Sequence, residues 1–189
     1  MSKINIKPQG FLLPLPATML SCQKPGERPN IITMSWVGVV ASEPPMIAVG
    51  IRPNRFSHHI VNDSKEFVIN VPHVDQVRET DYCGHVSGRK HDKFGDLNLT
   101  PVKGDKVDAP VIAECPVCIE CKVRHVLNLG SHDLFLGEIV NIQIESDCVD
   151  EKGRVIMDRV KPFIYTPGTR EYRAGFETIL GVGGFALKK

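Results

Sequence analysis

Apolar residues recur along the chain in short runs, and turn formers cut those runs at close intervals. Ala17 to Gln23 predicts a strand. Lys24-Pro25-Gly26-Glu27-Arg28-Pro29-Asn30 follows, with Pro-Gly setting a reversal. Ile31 to Ala41 predicts the next strand, so the two form an antiparallel hairpin. Ser42-Glu43-Pro44-Pro45 breaks pairing again. Met46 to Ile51 is apolar on both faces, as in a buried barrel stave. It empties into Arg52-Pro53-Asn54-Arg55-Phe56-Ser57, a basic turn that opens a short helix, Phe56 to Ser64. That helix carries Phe56, Ile60 and Val61 on one side. Glu66 to Val71 predicts a strand ended by Pro72.

Upstream, Phe11 to Leu15 is apolar but is cut by Pro14 and Pro16. Proline lacks an N–H, so this piece can only be an edge or a crossing segment. Downstream, Val74 to Cys83 has helical spacing, and Gly84 to Lys93 is a polar loop. Phe94 to Pro110 is kept irregular by Gly95, Pro101, Gly104 and Pro110. Val117 to Leu129 and Leu134 to Ser146 predict two long strands joined at Gly130-Ser131-His132-Asp133. Pro162 to Tyr165 predicts a last short strand. The tail from Pro167 to Lys189 is rich in glycine and carries Tyr172, Phe176 and Phe185. Strands with frequent turns and two or three short helices predict a mainly β fold, a small closed barrel with additions, and not βαβ winding. One domain over residues 1–189 is expected from the length. No G-x-G-x-x-G follows a strand, so a Rossmann nucleotide site is not indicated.

Charge changes the picture by exclusion. Lys and Arg number 23 against 22 Asp and Glu, with no long basic run. Binding to nucleic acid through bulk electrostatics is not expected. No apolar run approaches the roughly 20 residues of a membrane helix, so no membrane partner is expected. The N-terminus has no apolar core of a signal peptide, and six cysteines then predict free thiols in a reducing compartment, by default the cytoplasm. Cys115, Cys118 and Cys121 are spaced C-x-x-C-x-x-C, which could suggest a cluster or zinc. On a strand Cys115 and Cys121 face one way and Cys118 the other. Buried, inert thiols and no metal are therefore expected. His58-His59 is set aside as well, because adjacent helical residues do not face one point.

The basic turn carries the candidate chemistry. Arg52, Arg55 and Ser57 lie within six residues, at a strand end, before a helix. A phosphate monoester carries nearly two negative charges. Free N–H groups at a helix start favour such an anion, and arginine adds a planar fork of donors. The alternative is a solvated turn with Ser57 or Asn54 as a helix cap. Thr33 and Ser35 alternate with Ile32 and Met34 and share a face. That face either meets a ligand or meets water. Trp36, the only Trp, either meets the same ligand from the end of the strand or packs in the core.

Taken in order, several stretches resemble the flavin reductase-like, FMN-binding split-barrel family, flavoredoxin type. They are PLPA from Pro14, NIITMSW from Asn30, Ser42-Glu43-Pro44-Pro45, GIRPNRFS from Gly50 and FVINVP from Phe67. SGRKHDKF from Ser87, the ECKV end of the Pro110 to Val123 stretch and GSHDLFLGEI from Gly130 follow, so the resemblance covers about nine-tenths of the chain. It implies a Greek-key split barrel working as a homodimer with FMN near the dimer interface. It implies that Thr33, Met34, Ser35 and Trp36, with Arg52, Asn54, Arg55 and Ser57, hold the flavin. Ser42 is expected along the ring, and Ser87, Gly88 and Lys93 on the phosphate side. Reductases of this family often carry Gly-Asp-His near the nicotinamide site. Here Gly130-Ser131-His132 stands there, with Ser for Asp, and His132 is expected to touch nicotinamide or flavin. The implied function is an NAD(P)H-dependent flavin reductase, with NADH or NADPH as donor. The alternative is a flavoredoxin-like carrier served by a redox protein partner. The flavin supplies the redox chemistry, so no catalytic triad is expected.

Overall fold

The computed structural model describes residues 2–175, 178 and 179. Phe176 and Phe185 lie outside the described residues. Between its prolines the N-terminal run forms only two residues of strand, Leu15–Pro16 (β1). Thr18–Cys22 (β2), Asn30–Met34 (β3), Val37–Ser42 (β4) and Pro45–Ile51 (β5) follow. Phe56–Ser64 (α1) and Glu66–Val71 (β6) come next, then Val77–His85 (α2) and Lys93–Leu97 (α3). Pro101–Lys103 (β7) and Pro110–Ile112 (β8) form a small ribbon. Val117–Asn128 (β9) and Asp133–Ile144 (β10) are the long hairpin. Met157–Val160 (α4), Ile164–Thr166 (β11) and Glu171–Arg173 (β12) complete the chain.

The Pro25-Gly26 reversal places Thr18 opposite Met34 and Cys22 opposite Asn30 in antiparallel register. Gly26 sits at φ +77°, which a residue without Cβ adopts freely. The main sheet has seven strands in the order β3-β2-β6-β9-β10-β5-β4. The single strand expected from Ile31 to Ala41 is two strands. β3 pairs with β2 at one sheet edge, and β4 pairs with β5 at the other. Only Ser35 and Trp36 separate them, so the two edges must approach each other there. The sheet thus curls into a barrel that is open between β3 and β4. Hydropathy could not mark the break, because the run is apolar on both sides of it.

Both faces of the central strands are buried, as the unbroken apolar runs require. One face of β2 and β6 packs Leu20, Phe67 and Ile69 with Ile60 and Val61 of α1 and Phe135 of β10. The other packs Met19 and Val68 with Cys83, Phe94, Val111 and Ile112. At Gly137 a Cβ would lie 2.6 Å from Phe67 Cζ, so only glycine lets β10 cross that ring. The register of β9 and β10 shifts at the same point.

Helical spacing from Val74 begins as a 3-10 turn, Val74–Gln76, before α2. The polar stretch 84–93 is shorter as a loop than expected, because α2 runs to His85 and Lys93 opens α3. Cys115 precedes β9 and shares one core with Cys118, while Cys121 enters the other. The three thiols therefore do not converge, although the partition differs from strict strand parity. Burial drives the Cys118 and Cys121 thiols up to about 12. No described helix is long and apolar enough to cross a membrane.

Candidate functional site

The opening between β3 and β4 is a cleft made of two adjoining cavities of about 170 and 210 Å³, which share Ile32 and Arg55. The first lies between β3, the start of α1 and the α2–α3 connection. Asn54, Arg55, Ser57, Ser87, Gly88 and Lys93 all line it. The second runs along β3 toward β5. Thr33, Met34, Ser35, Trp36, Arg52 and His132 line it. From Asn30 to Trp36 is roughly 20 Å at the rise of an extended chain, so the cleft is long and narrow. Of the residues named from the sequence, Ser42 alone is not brought here. It sits exposed at the far end of β4, opposite Pro45.

Local folding explains the first cavity. Arg55 is the N-cap of α1 and its side chain makes no capping bond. Ser57 lies inside the helix, not at its cap, and its hydroxyl accepts a bond from Asn30 Nδ2 at 2.7 Å. The helix start therefore presents its first amides without a side-chain cap, as an anion site needs. Lys93 opens α3 and turns inward, with only 3% of its surface exposed. Its ammonium donates to the carbonyls of Ile31 and Cys83, each at 2.7 Å. Among the described residues it has no carboxylate partner. Burial pulls Lys93 down to about 8; the Cys83 and Cys22 thiols offset this in part, and Arg55 adds to it. A buried, unpaired cation on a cavity wall is a large unmet electrostatic demand. No Asp or Glu lines either cavity, so the demand is for an anion from outside.

Asn30 and Gly88 are what sequence reasoning underused. Gly88 packs against Asn30 and Phe56, where a Cβ would lie 2.7 Å from Phe56 Cδ1. Arg28 fixes the same loop by donating to the Gly88 carbonyl at 2.8 Å. The signal was an Asn at the head of an otherwise apolar strand. Gly88→Ala is expected to push Asn30 off Ser57 and narrow the cavity. Thermal melts should show a loss of about 1–3 kcal/mol, and flavin titration a weaker complex.

In the second cavity the Thr33 hydroxyl bonds the Thr80 carbonyl and its side chain packs beside Gly84 of α2, so this hydroxyl is already partnered. Trp36 is not a core residue: 46% of it is exposed, and its ring lies 4.4 Å from that of His132. Arg52 belongs to this second cavity and not to the first. Its Nε donates to His132 Nε2 at 3.3 Å. Burial first, then the charges of Arg52 and Arg55, hold His132 below the ordinary imidazole range. A neutral ring whose Nε2 accepts must carry its proton on Nδ1. That N–H faces Ser131 Oγ at 2.9 Å. Nearby, His58 pairs with Asp133 at 2.7 Å, and Asn128 bonds the same carboxylate.

Residues 11–173 match the model of the flavin reductase like domain. The chain belongs to that family. Flavoredoxin of Desulfovibrio vulgaris (Miyazaki F) superimposes on this family member with a TM-score of 0.92 at 33% identity, over 98% of this chain and all of that one. Flavoredoxin from Methanosarcina acetivorans gives 0.89 at 29% identity, over 99% and 100%. An uncharacterised protein of Archaeoglobus fulgidus is 35% identical over 116 residues, 61% of this chain and 66% of its own length. The fold of this family member is the mainly β split barrel that the sequence resemblance implied, with few helices.

Proposed function

We propose that the chain binds FMN and works as a flavoprotein oxidoreductase of the flavin reductase type. The observation that carries this reading is Lys93, buried and without a carboxylate partner among the described residues, on the wall of a cavity shared with Arg55 and Ser57. A phosphate monoester there would accept from Lys93, from the Arg55 fork and from the open amides of α1. The flavin ring would then lie along Ile32 to Trp36, with Arg52 and His132 at its edge. When bound, FMN supplies the hydride and electron chemistry. The chain would hold its phosphate end in the first cavity and leave the Trp36 end of the cleft open. The Arg52 cation at the ring edge would favour added negative charge and so raise the flavin's potential. The expected second copy of the chain would sit on the edge strand β4, where Val39 is 72% and Val40 56% exposed.

The test is a pair of absorbance titrations. FMN should bind saturably and riboflavin at least about tenfold more weakly, since only the phosphate meets Lys93 and Arg55. Equal affinities would remove the phosphate from this cavity. A second reading is a carrier that takes electrons from a protein donor. It is favoured by Ser131, which stands where many reductases of this family carry Asp, and by the two near full-length flavoredoxin likenesses. Anaerobic NADH or NADPH should bleach the bound flavin rapidly in a reductase. Colour that persists for minutes with either nucleotide, yet is lost to a reduced ferredoxin-type donor, assigns the carrier.

A further inference from the structure

Cations gather at the phosphate end of the cleft and meet no carboxylate there. Arg52, Arg55 and Lys93 line its two cavities. Arg28 holds the Gly88 carbonyl, and Arg89 and Lys90 continue the same loop. All but Lys93 are exposed. Among the described residues none of these cations forms an ion pair. The acidic groups around them are engaged elsewhere. Glu27 and Asp63 are drawn to Lys24, Asp96 to Tyr82 and His91, and Asp133 to His58 and Asn128. Asp92 pairs with no cation. Away from the cleft the surface does pair its charges, as in Lys122–Glu66, Arg124–Glu138 and Arg154–Asp150. The chain's net charge is only +1, so this field is local to the cleft mouth and not a property of the whole molecule.

A bound phosphate would neutralise about two of these charges and leave the others uncompensated. Arg28, Arg89 and Lys90 line neither cavity of the cleft. They stand exposed on two different loops, with no concave space between them to enclose a small anion. A spread of exposed cations of this kind matches a spread of carboxylates on another protein, where complementary charge steers encounter and sets orientation. We propose that the mouth of the cleft is a docking surface for an acidic protein, whose carboxylates meet Arg28, Arg89 and Lys90 on one side and Arg52 on the other. That the partner is a redox protein rests on the FMN proposed for the cleft. The docking itself rests on the cations alone.

The test titrates the protein, with FMN added, into an acidic plant-type iron–sulfur ferredoxin that carries a fluorescein label, and reads anisotropy. Binding should saturate at about 20 mM salt and weaken at least about tenfold by about 300 mM, because exposed pairs are screened. Arg89→Glu/Lys90→Glu should weaken it at least about tenfold at low salt, while FMN titrates as in the parent. Lys106→Glu/Lys152→Glu makes the same change of net charge at exposed positions that line neither cavity. It should leave binding within about twofold of the parent. Anisotropy reads docking with or without flavin, and the FMN band reads the cleft separately, so failure of one is distinguished from failure of the other. The proposal is overturned if the ferredoxin does not bind, or if Arg89→Glu/Lys90→Glu binds it as the parent does. It also falls if the two double variants weaken binding alike, which would leave only overall charge. Saturable displacement of the ferredoxin by inorganic pyrophosphate at constant ionic strength would make the rim a site for a second phosphate and overturn it too. So would self-association of the chain that Arg89→Glu/Lys90→Glu abolishes, since the occupant would then be a second copy.

Discussion

Lys93→Met is expected to weaken FMN binding about ten- to hundredfold, the range for a charge-assisted bond of roughly 1.5–3 kcal/mol. The methylene stem stays, so packing against α2 and β3 is kept. The ammonium is lost, and with it the donor to the Ile31 and Cys83 carbonyls. The same group sets a pH dependence with a definite sign. In the free protein Lys93 is pulled down to about 8 by burial, so it begins to lose its proton above that pH. A phosphate dianion beside it raises its pKa, and binding therefore takes up a proton. FMN affinity should be greatest between about pH 6, where the phosphate becomes a dianion, and about pH 8. Above that it should fall by up to about tenfold per pH unit until the bound-state pKa is reached. The folding contribution runs the other way. Between the folded value near 8 and the ordinary 10.5 the unfolded chain holds more protons, so this group makes the flavin-free protein more stable as pH rises. Flavin titrations and melts at pH about 7 and about 9.5 should move in opposite directions, and both trends should vanish in Lys93→Met. An affinity that ignores both the pH and the substitution would place the phosphate elsewhere.

Much of this arrangement was legible in the chain. The helix Phe56–Ser64 and the strand Glu66–Val71 appear with the bounds expected from their patterns. Both are local units. The helix follows a Pro53 turn and ends at Lys65, in the left-handed region at φ 59°, and the strand stops at Pro72. The basic turn also meets the Gly88 loop and Lys93, as the family resemblance implied. What was not legible depends on partners far apart in sequence. The strand from Ile31 splits because β3 and β4 belong to opposite sheet edges, and hydropathy carries no record of edges. Arg52 and Arg55 look equivalent in the turn, yet one meets His132 and the other the first cavity. The choice is made by His132, in the turn between β9 and β10, eighty residues away. Ser42 was drawn toward the ring by resemblance alone, and the β4–β5 pairing carries it to the far end of the strand. Glu120 gave no sign at all, because a charged residue in an alternating strand is most simply read as facing water.

Glu120→Ala is expected to lower stability by about 2–4 kcal/mol, the range for removing a carboxylate that accepts several bonds from neutral donors, at least one of them buried. The side chain has no exposed surface. One oxygen accepts from the backbone amides of Lys106 at 2.6 Å and Val107 at 3.1 Å. The other accepts from Asn141 at 2.7 Å and Gln143 at 2.9 Å. This carboxylate ties the segment 104–109 to β9 and β10, and Gly104 leaves room for it: a Cβ there would lie 2.9 Å from Glu120 Oε2. Removal leaves four donors without this acceptor; the Val107 amide is buried, while Lys106 is exposed and Asn141 and Gln143 are half-buried and can turn to water. Burial is the largest single influence on the carboxyl and raises it, but the bonds from Asn141, Lys106, Gln143 and Asp105 together outweigh it and hold it low. A carboxyl held low when folded adds stability that is present above its unfolded value, 4.5, and is lost as pH falls through the folded one. Urea melts of the parent should therefore lose stability from pH about 4.5 downward, and the gap between parent and Glu120→Ala should shrink over the same window. Glu120 does not line the cleft, so FMN affinity per folded molecule should match the parent at pH about 7. A variant as stable as the parent, or a gap that does not change with acid, would mean that the four donors find other acceptors and that the carboxylate is not what fastens the 104–109 segment to the barrel.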